Sequence, residues 1–383
     1  MKVTFASNYL THHQVPFCES MYDLLGDDFS FISFEQMEDE RVKMGWTLKE
    51  LPMYEIRAYE SQMQRTKAIE NIINSDVVIL GAVSREIITM RLDNAKGITF
   101  RYCERILKKG YKNAISPSAF RYRVNYQKNV KGKSVYMLCA SAYLAGDLKL
   151  LQAYKDRCYR WGYFPPIRKY ERIIEDKNFK QILWVGRLIP LKHPELAIEL
   201  AEQLRNSNYE FTMKIIGDGV MKNEIQKMIS RKGLESFVSL LGNMPHSEVR
   251  DHMRRSGIFI ATSDFSEGWG AVVNEAMNDG CAVVASHAMG SVPFLVKDGE
   301  NGLIFKSGSG RDLMRCVAGL LKEPSRIKEL GQRAYDTIIS MWNAEYAAKS
   351  FVNLSETLLQ GNDYENLDGP CSRSPILYNY WKR

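Results

Sequence analysis

Two cations and two carboxylates in the second half of the chain have the types and spacing to hold a phosphorylated ligand. Arg187 and Lys192 share one loop ahead of Pro194, and Glu267 and Glu275 stand eight residues apart. Cations beside a helix start suit a diphosphate. Carboxylates accept hydrogen bonds from neighbouring hydroxyls. Glu275, about two helical turns beyond Glu267, can reach a different part of the same ligand. Carboxylates that read hydroxyls beside amides that hold phosphate describe a nucleotide-sugar site. The plainer alternative is a strand-loop-helix with solvated acids and solvated loop cations.

Strands and loops must position these groups. Ile258-Phe259-Ile260-Ala261 is an apolar run that predicts a buried parallel strand. Gly268, Trp269 and Gly270 follow in a loop, and residues 271–279 predict a helix closed by Gly280. Upstream, residues 181–185 predict a strand that runs into Gly186, where backbone can approach a ligand. Residues 211–216 predict the next strand, ending at Gly217-Asp218-Gly219, a triplet that a tight turn explains equally well. Residues 237–241 and 281–286 predict two more strands, and His246 is assigned to a helix start. Residues 311–340 and 343–359 read as helices. Strands alternating with helices predict an α/β fold of doubly wound parallel sheets, with ligands at the carboxyl ends of the strands.

The loop Ser263-Asp264-Phe265-Ser266-Glu267-Gly268-Trp269-Gly270, with Glu275 beyond it, resembles the retaining glycosyltransferases of the GT-B fold, family 4. Gly186-Arg187-x4-Lys192 matches that family's Gly-Arg-x4-Lys, and the resemblance runs from about residue 181 to about residue 354. It implies two Rossmann-like domains facing across a cleft, and transfer of a sugar from a nucleoside diphosphate to a hydroxyl acceptor with retention. The implied setting is cell-surface polysaccharide or lipid-linked oligosaccharide synthesis, with a nucleotide-sugar donor and no separate cofactor. Arg187 and Lys192 then hold the diphosphate and offset charge on the departing nucleotide. Glu267 contacts the transferred sugar, and Glu275 the ribose or the sugar-phosphate side. Glu267, Arg187 and Lys192 are the implied catalytic groups, and Gly186, Gly268, Trp269 and Gly270 complete the donor loops. Asn243 and Met244 are the implied main-chain contacts to the nucleobase. The chain departs from the family at Gly290-Ser291-Val292-Pro293-Phe294, where Gly-Gly-x-Pro-Glu is usual. It has no Asp-x-Asp pair, so no metal-bridged diphosphate is expected.

The first half carries fewer signals. Residues 3–6 predict a strand, and the next loop holds His12, His13 and Gln14 before Pro16. That position places the three for acceptor contact, although loop histidines also cap helices or face water. Glu86, just after a strand at 77–81, and Ser141, after a strand at 135–139, occupy comparable positions. A first-turn acid that complements the helix dipole accounts for Glu86 as well. Residues 58–74 read as a helix, and the polar residues 35–49 as an excursion over the crevice. Residues 96–133 are strongly basic with interleaved aromatics. They suit a solvated face or an anionic membrane surface or lipid pyrophosphate; no nucleic-acid motif accompanies them, and nucleic acid is not the expected partner.

The 383 residues suggest more than one domain. The proline pair at 165–166 sets the expected division: 1–166 for acceptor binding, 167–342 for the nucleotide sugar, and 343–383 as a helix and tail returning to the first domain. With 45% apolar and 25% charged residues and no long apolar run, a cytoplasmic protein is expected, peripheral on the inner face of the plasma membrane if the basic stretch meets lipid. The start reads as a strand and loop rather than a leader. Seven scattered cysteines lack metal-ligand spacing. A GT-B epimerase and a binding protein without catalysis remain as alternatives. A Rossmann dehydrogenase is disfavoured, since no Gly-x-Gly-x-x-Gly follows the first strand.

Overall fold

The computed structural model describes residues 1–38, 51–94 and 96–381. From residue 39 on, the excursion expected at 35–49 lies outside the described residues. The chain forms two compact units: Met1–Pro166 with Asn343–Tyr378, and Ile167–Trp342 with the residues from Asn379 on. The last segment therefore divides. Residues up to Tyr378 group with the first unit, whereas those from Asn379 group with the second. The ring of Trp381 meets that of His287 at 4.9 Å between centroids, and this aromatic contact ties the chain end there.

In the first unit β1 (Val3–Ser7), β2 (Phe29–Ser33), β3 (Glu55–Arg57), β4 (Val77–Leu80), β5 (Ile98–Cys103), β6 (Val135–Cys139) and β7 (Cys158–Arg160) form one sheet in the order β3-β2-β1-β4-β5-β6-β7. Every pairing is parallel. β1, β2 and β4 are buried along their whole length, as strands between two helical layers are; β4 is wholly apolar, and the Thr4 hydroxyl of β1 is satisfied by Ser30 and Ser75 at 3.0 and 2.8 Å. The helix expected at 58–74 begins later, at Gln62, where Ser61 accepts a hydrogen bond from the Gln64 amide and caps it. The residues before it hold β3, too short for its alternation to stand out.

The helix Ala344–Leu359 is capped by Asn343. It sets Phe351 against Phe17, Phe100 and Trp161 of its unit. The following tail pairs with β7. Cys371 N donates to Arg160 O at 2.8 Å, Arg160 N to Ser372 O at 2.7 Å and Ser374 N to Cys158 O at 2.9 Å. Leu377 and Tyr378 then run so close to Gly146 that a Cβ there would lie 2.0 Å from the Leu377 carbonyl oxygen.

In the second unit β8 (Asn178–Val185), β9 (Thr212–Ile216), β10 (Val238–Gly242), β11 (Ser256–Ala261), β12 (Ala282–Ser286) and β13 (Leu303–Phe305) take the order β10-β9-β8-β11-β12-β13, again all parallel. Trp184, Ile198, Ile215, Ile258, Val284 and Leu313 belong to one continuous apolar core. The helix expected at 311–340 is two helices, Gly310–Lys322 and Pro324–Ser340. Pro324 has no N–H to continue the first, and Glu323 leaves helical geometry at φ −131° and ψ 79°. Lys177 closes the helix His246–Arg255. Its buried ammonium donates to the carbonyls of Met253, Arg254 and Ser256 at 2.8–3.1 Å, and burial lowers its pKa.

Candidate active site

Strand order in the second unit reverses between β8 and β11, and a doubly wound sheet opens its ligand crevice at such a point. The two connections that leave there are residues 186–193 after β8 and 262–271 after β11. They carry Arg187, Lys192 and Glu267, with Glu275 in the helix Val272–Asn278 that follows. Topology alone thus brings these four residues to one end of the sheet.

Hydrogen bonds lace the two connections together. Trp184 Nε1 donates to Thr262 Oγ1 at 2.8 Å, and Thr262 Oγ1 donates to the Lys192 carbonyl at 2.6 Å. Asp264 N donates to Leu191 O at 3.0 Å. His193, in the left-handed region at φ 48°, bridges Glu195 at 2.6 Å and Asp264 at 3.3 Å. The hydrogen bond to Glu195 raises its pKa. The fourth link is chemical: Lys192 Nζ pairs with Glu267 Oε2, which also accepts from Ser263 Oγ at 3.0 Å. The Lys192 and Glu267 side chains are only 14% and 15% exposed. The pair is thus largely withdrawn from solvent. Arg187 stays exposed and makes no ion pair among the described residues.

Packing constrains the loop 268–270. Gly270 has φ +86°, and a Cβ there would sit 2.5 Å from Met289 Cε. Trp269 does not face a ligand with its ring. The side chain is fully buried, its Nε1 donates to Asn274 Oδ1 at 2.9 Å, and it packs near Phe294 and Trp342. Only the main chain of Trp269 is left for the donor role that the resemblance gives it. Phe294, at the position where the resemblance leads one to expect a glutamate, stacks on Trp342 at 5.9 Å. The exchange trades a polar group for aromatic packing beneath the loop. Ser291 N donates to Trp269 O at 3.1 Å from below.

Gly217 brings the β9 connection against the β8 connection. At φ +139° a Cβ there would meet the Gly186 carbonyl oxygen at 1.9 Å, so only glycine fits. Asn243 is exposed and Met244 half-buried after β10. Glu275 is buried, with one oxygen 2.9 Å from His246 Nε2. His246 is the first residue of the helix His246–Arg255, at the start where the sequence puts it; its side-chain contact cannot be read from spacing. His193 escapes the sequence reading altogether, although a histidine before a proline at a helix start, beside Glu195, is a visible signal.

The acceptor candidates all lie in the first unit. Gln14 serves its own loop, where its Oε1 accepts from Thr11 N and Oγ1, each at 3.0 Å. The His12 and His13 rings lie 3.8 Å apart, and His13 stacks on Tyr163 at 5.6 Å. Glu86 is exposed in the first turn of the helix Arg85–Asn94, where it complements the helix dipole. Ser141 is fully buried, which withdraws its side chain from acceptor contact. Among the described residues no group of three or more His, Cys, Asp or Glu side chains is placed to hold a metal ion.

Residues 167–337 match the family of glycosyl transferases group 1. An uncharacterized glycosyltransferase of Methanocaldococcus jannaschii is 31% identical over 157 residues, which cover 41% of this chain and 42% of the relative. The poly(ribitol-phosphate) alpha-N-acetylglucosaminyltransferase of Staphylococcus aureus is 28% identical over 172 residues, 44% of this chain and 34% of the relative. The matches thus span less than half the length of these curated relatives. Solved structures extend the likeness to both units. HepE of Anabaena in complex with UDP superposes with a TM-score of 0.68 at 16% identity, over 94% of this chain and 99% of that one. The lipopolysaccharide outer core galactosyltransferase WaaB superposes with a TM-score of 0.67 at 17% identity, over 92% and 98%. Two Rossmann-like parallel-sheet domains of GT-B type are therefore the architecture of this chain, and its second unit is related to the group 1 glycosyl transferases.

Proposed function

We propose that this chain is a glycosyltransferase that moves a sugar, with retention, from a nucleoside diphosphate to a hydroxyl of a glycan or lipid-linked acceptor in cell-surface glycan synthesis. The observation that supports this is the Lys192–Glu267 pair, which sets a cation suited to phosphate beside a carboxylate suited to hydroxyls at the point where the second sheet reverses its strand order. Breaking the anomeric bond separates charge between an oxocarbenium-like sugar and a departing diphosphate. In this reading Arg187, Lys192 and the amides of 268–270 stabilise the diphosphate where its charge grows. Each such preorganised contact is worth roughly 3–4 kcal/mol. Glu267 takes the hydroxyls of the transferred sugar, and Glu275 those of the ribose. The incoming hydroxyl attacks from the face the diphosphate leaves. The two cations supply the counter-charge without a metal. A thermal-shift screen of UDP-, GDP- and ADP-sugars is expected to show one family of donors raising the melting temperature. No shift with any of them, or donor hydrolysis and epimerisation without transfer to any acceptor, counts against it.

The same reading includes peripheral membrane contact. Part of the basic stretch is consumed inside the fold. Arg105 pairs with buried Asp147 at 3.1 Å, Lys108 with Glu104 at 2.8 Å, and Arg123 donates to the Ala114 and Leu150 carbonyls. Lys109, Lys112 and Arg121 stay exposed beside Ile115, 85% exposed, and Phe120, 64% exposed. Cations around open apolar side chains suit an anionic lipid surface at about 1 kcal/mol per charge. Exchanging these three for glutamine is expected to weaken flotation with phosphatidylglycerol vesicles roughly 100-fold at low salt. Unchanged flotation overturns the contact.

A further inference from the structure

The helices His246–Arg255 and Val272–Asn278 are joined by two rungs one helical turn apart. At the crevice end His246 Nε2 lies 2.9 Å from Glu275 Oε1. Four residues further along each chain, Arg250 pairs with Asp279 and donates to Asn278 Oδ1 at 2.6 Å. The i,i+4 spacing puts His246 and Arg250 on one face, and Glu275 and Asp279 on the other.

The rungs differ in environment. Arg250 and Asp279 are 2% and 0% exposed at their side chains, and His246 and Glu275 are 55% and 9% exposed. The deep rung fixes the two helices, and Tyr170 OH adds a bond to Asp279 at 2.8 Å. The open rung sits nearer solvent, at the end of the helix pair that faces the crevice. A buried carboxylate at the crevice mouth has several rotamers, and a partner on a fixed helix selects among them.

We propose that His246 is the positioning residue of Glu275: it holds Oε1 by a charge-assisted hydrogen bond and so aims the carboxylate at the ribose of a bound nucleotide. This rests on the donor-site reading of Glu275. The same histidine begins the helix that follows Asn243 and Met244, so one residue couples the nucleobase loop to the ribose carboxylate. His246 acts through Glu275 and does not touch the ligand.

A double-mutant cycle tests this on the full chain, with UDP, GDP and ADP binding measured by calorimetry. His246→Ala is expected to weaken binding roughly fivefold to tenfold, as loss of a half-open bond to a charged group does. His246→Gln, which restores an N–H donor, is expected to recover most of the affinity. In a Glu275→Gln background His246→Ala is expected to add nothing, because its route to the ligand is gone. Effects that multiply show His246 touching the ligand itself and overturn the proposal. Wild-type binding that His246→Ala leaves unchanged overturns it alone. A wild-type chain that binds none of the three overturns the donor-site reading and this inference with it. Melting curves of both histidine variants are expected to match the wild type, which separates aim from folding.

Discussion

Lys192→Ala and Glu275→Ala are each expected to lower turnover at least ~100-fold, the lower end of losses for a single electrostatic contact. The Lys192 backbone is held independently of its side chain, since its carbonyl accepts from Thr262 Oγ1 at 2.6 Å. The alanine variant therefore keeps its loop and loses only the cation. Two effects then add in one direction. The departing diphosphate loses a counter-charge, and Glu267 loses the ammonium that orients it, keeping Ser263 Oγ at 3.0 Å. Because the cation matters most where charge is greatest, the loss is expected in kcat and in kcat/KM together. For Glu275→Ala the donor KM is expected to rise as well, since part of a ribose contact is already made in the ground state. Single-turnover transfer with saturating donor separates the two. Activity near wild type in both variants would reject the site.

The largest effect on stability is expected at the deep rung. Arg250→Ala should cost about 3–5 kcal/mol, the range for breaking a buried ion pair by removing one partner. Asp279 is fully buried, and without Arg250 its remaining contacts include the Tyr170 hydroxyl at 2.8 Å. Asn278 keeps its bonds with the Arg168 backbone, at 2.8 and 3.1 Å, so the loss concentrates on one carboxylate. Replacing Arg250 by methionine and Asp279 by leucine together is expected to recover much of the stability, because no unpaired charge is left inside. Urea unfolding of the three proteins measures both numbers. A change below ~1 kcal/mol in Arg250→Ala would show that the pair is not the structural tie described.

Much of the second unit is legible in the amino-acid sequence. Its strands are short apolar runs bounded by glycine, and the loops at their carboxyl ends follow from a parallel sheet. Pairings set by the crossover path are not legible. Lys192 and Glu267 are 75 residues apart in the chain, and nothing local announces their contact. The Glu275–His246 contact is invisible for the same reason. The resemblance places Trp269 in the donor loop, and what the sequence does not show is that its indole meets Asn274 and the core, which leaves the main chain for that role. Boundaries shift where a local rule competes with periodicity. Ser61 starts a helix later than its apolar spacing suggests, and Pro324 splits one that looks continuous. In the first unit Gln14 and Ser141 follow strands as the sequence places them, but the Thr11 contacts of one and the burial of the other are not legible there.

The bonds from Cys371–Ser374 to Arg160 and Cys158 also bear on how the molecule behaves in a crowded solution. A row of unsatisfied peptide groups at the rim of a sheet is a template for a foreign strand. Here the chain lays its own residues along that rim, as a hem is sewn on cloth, and self-association through β7 is closed off.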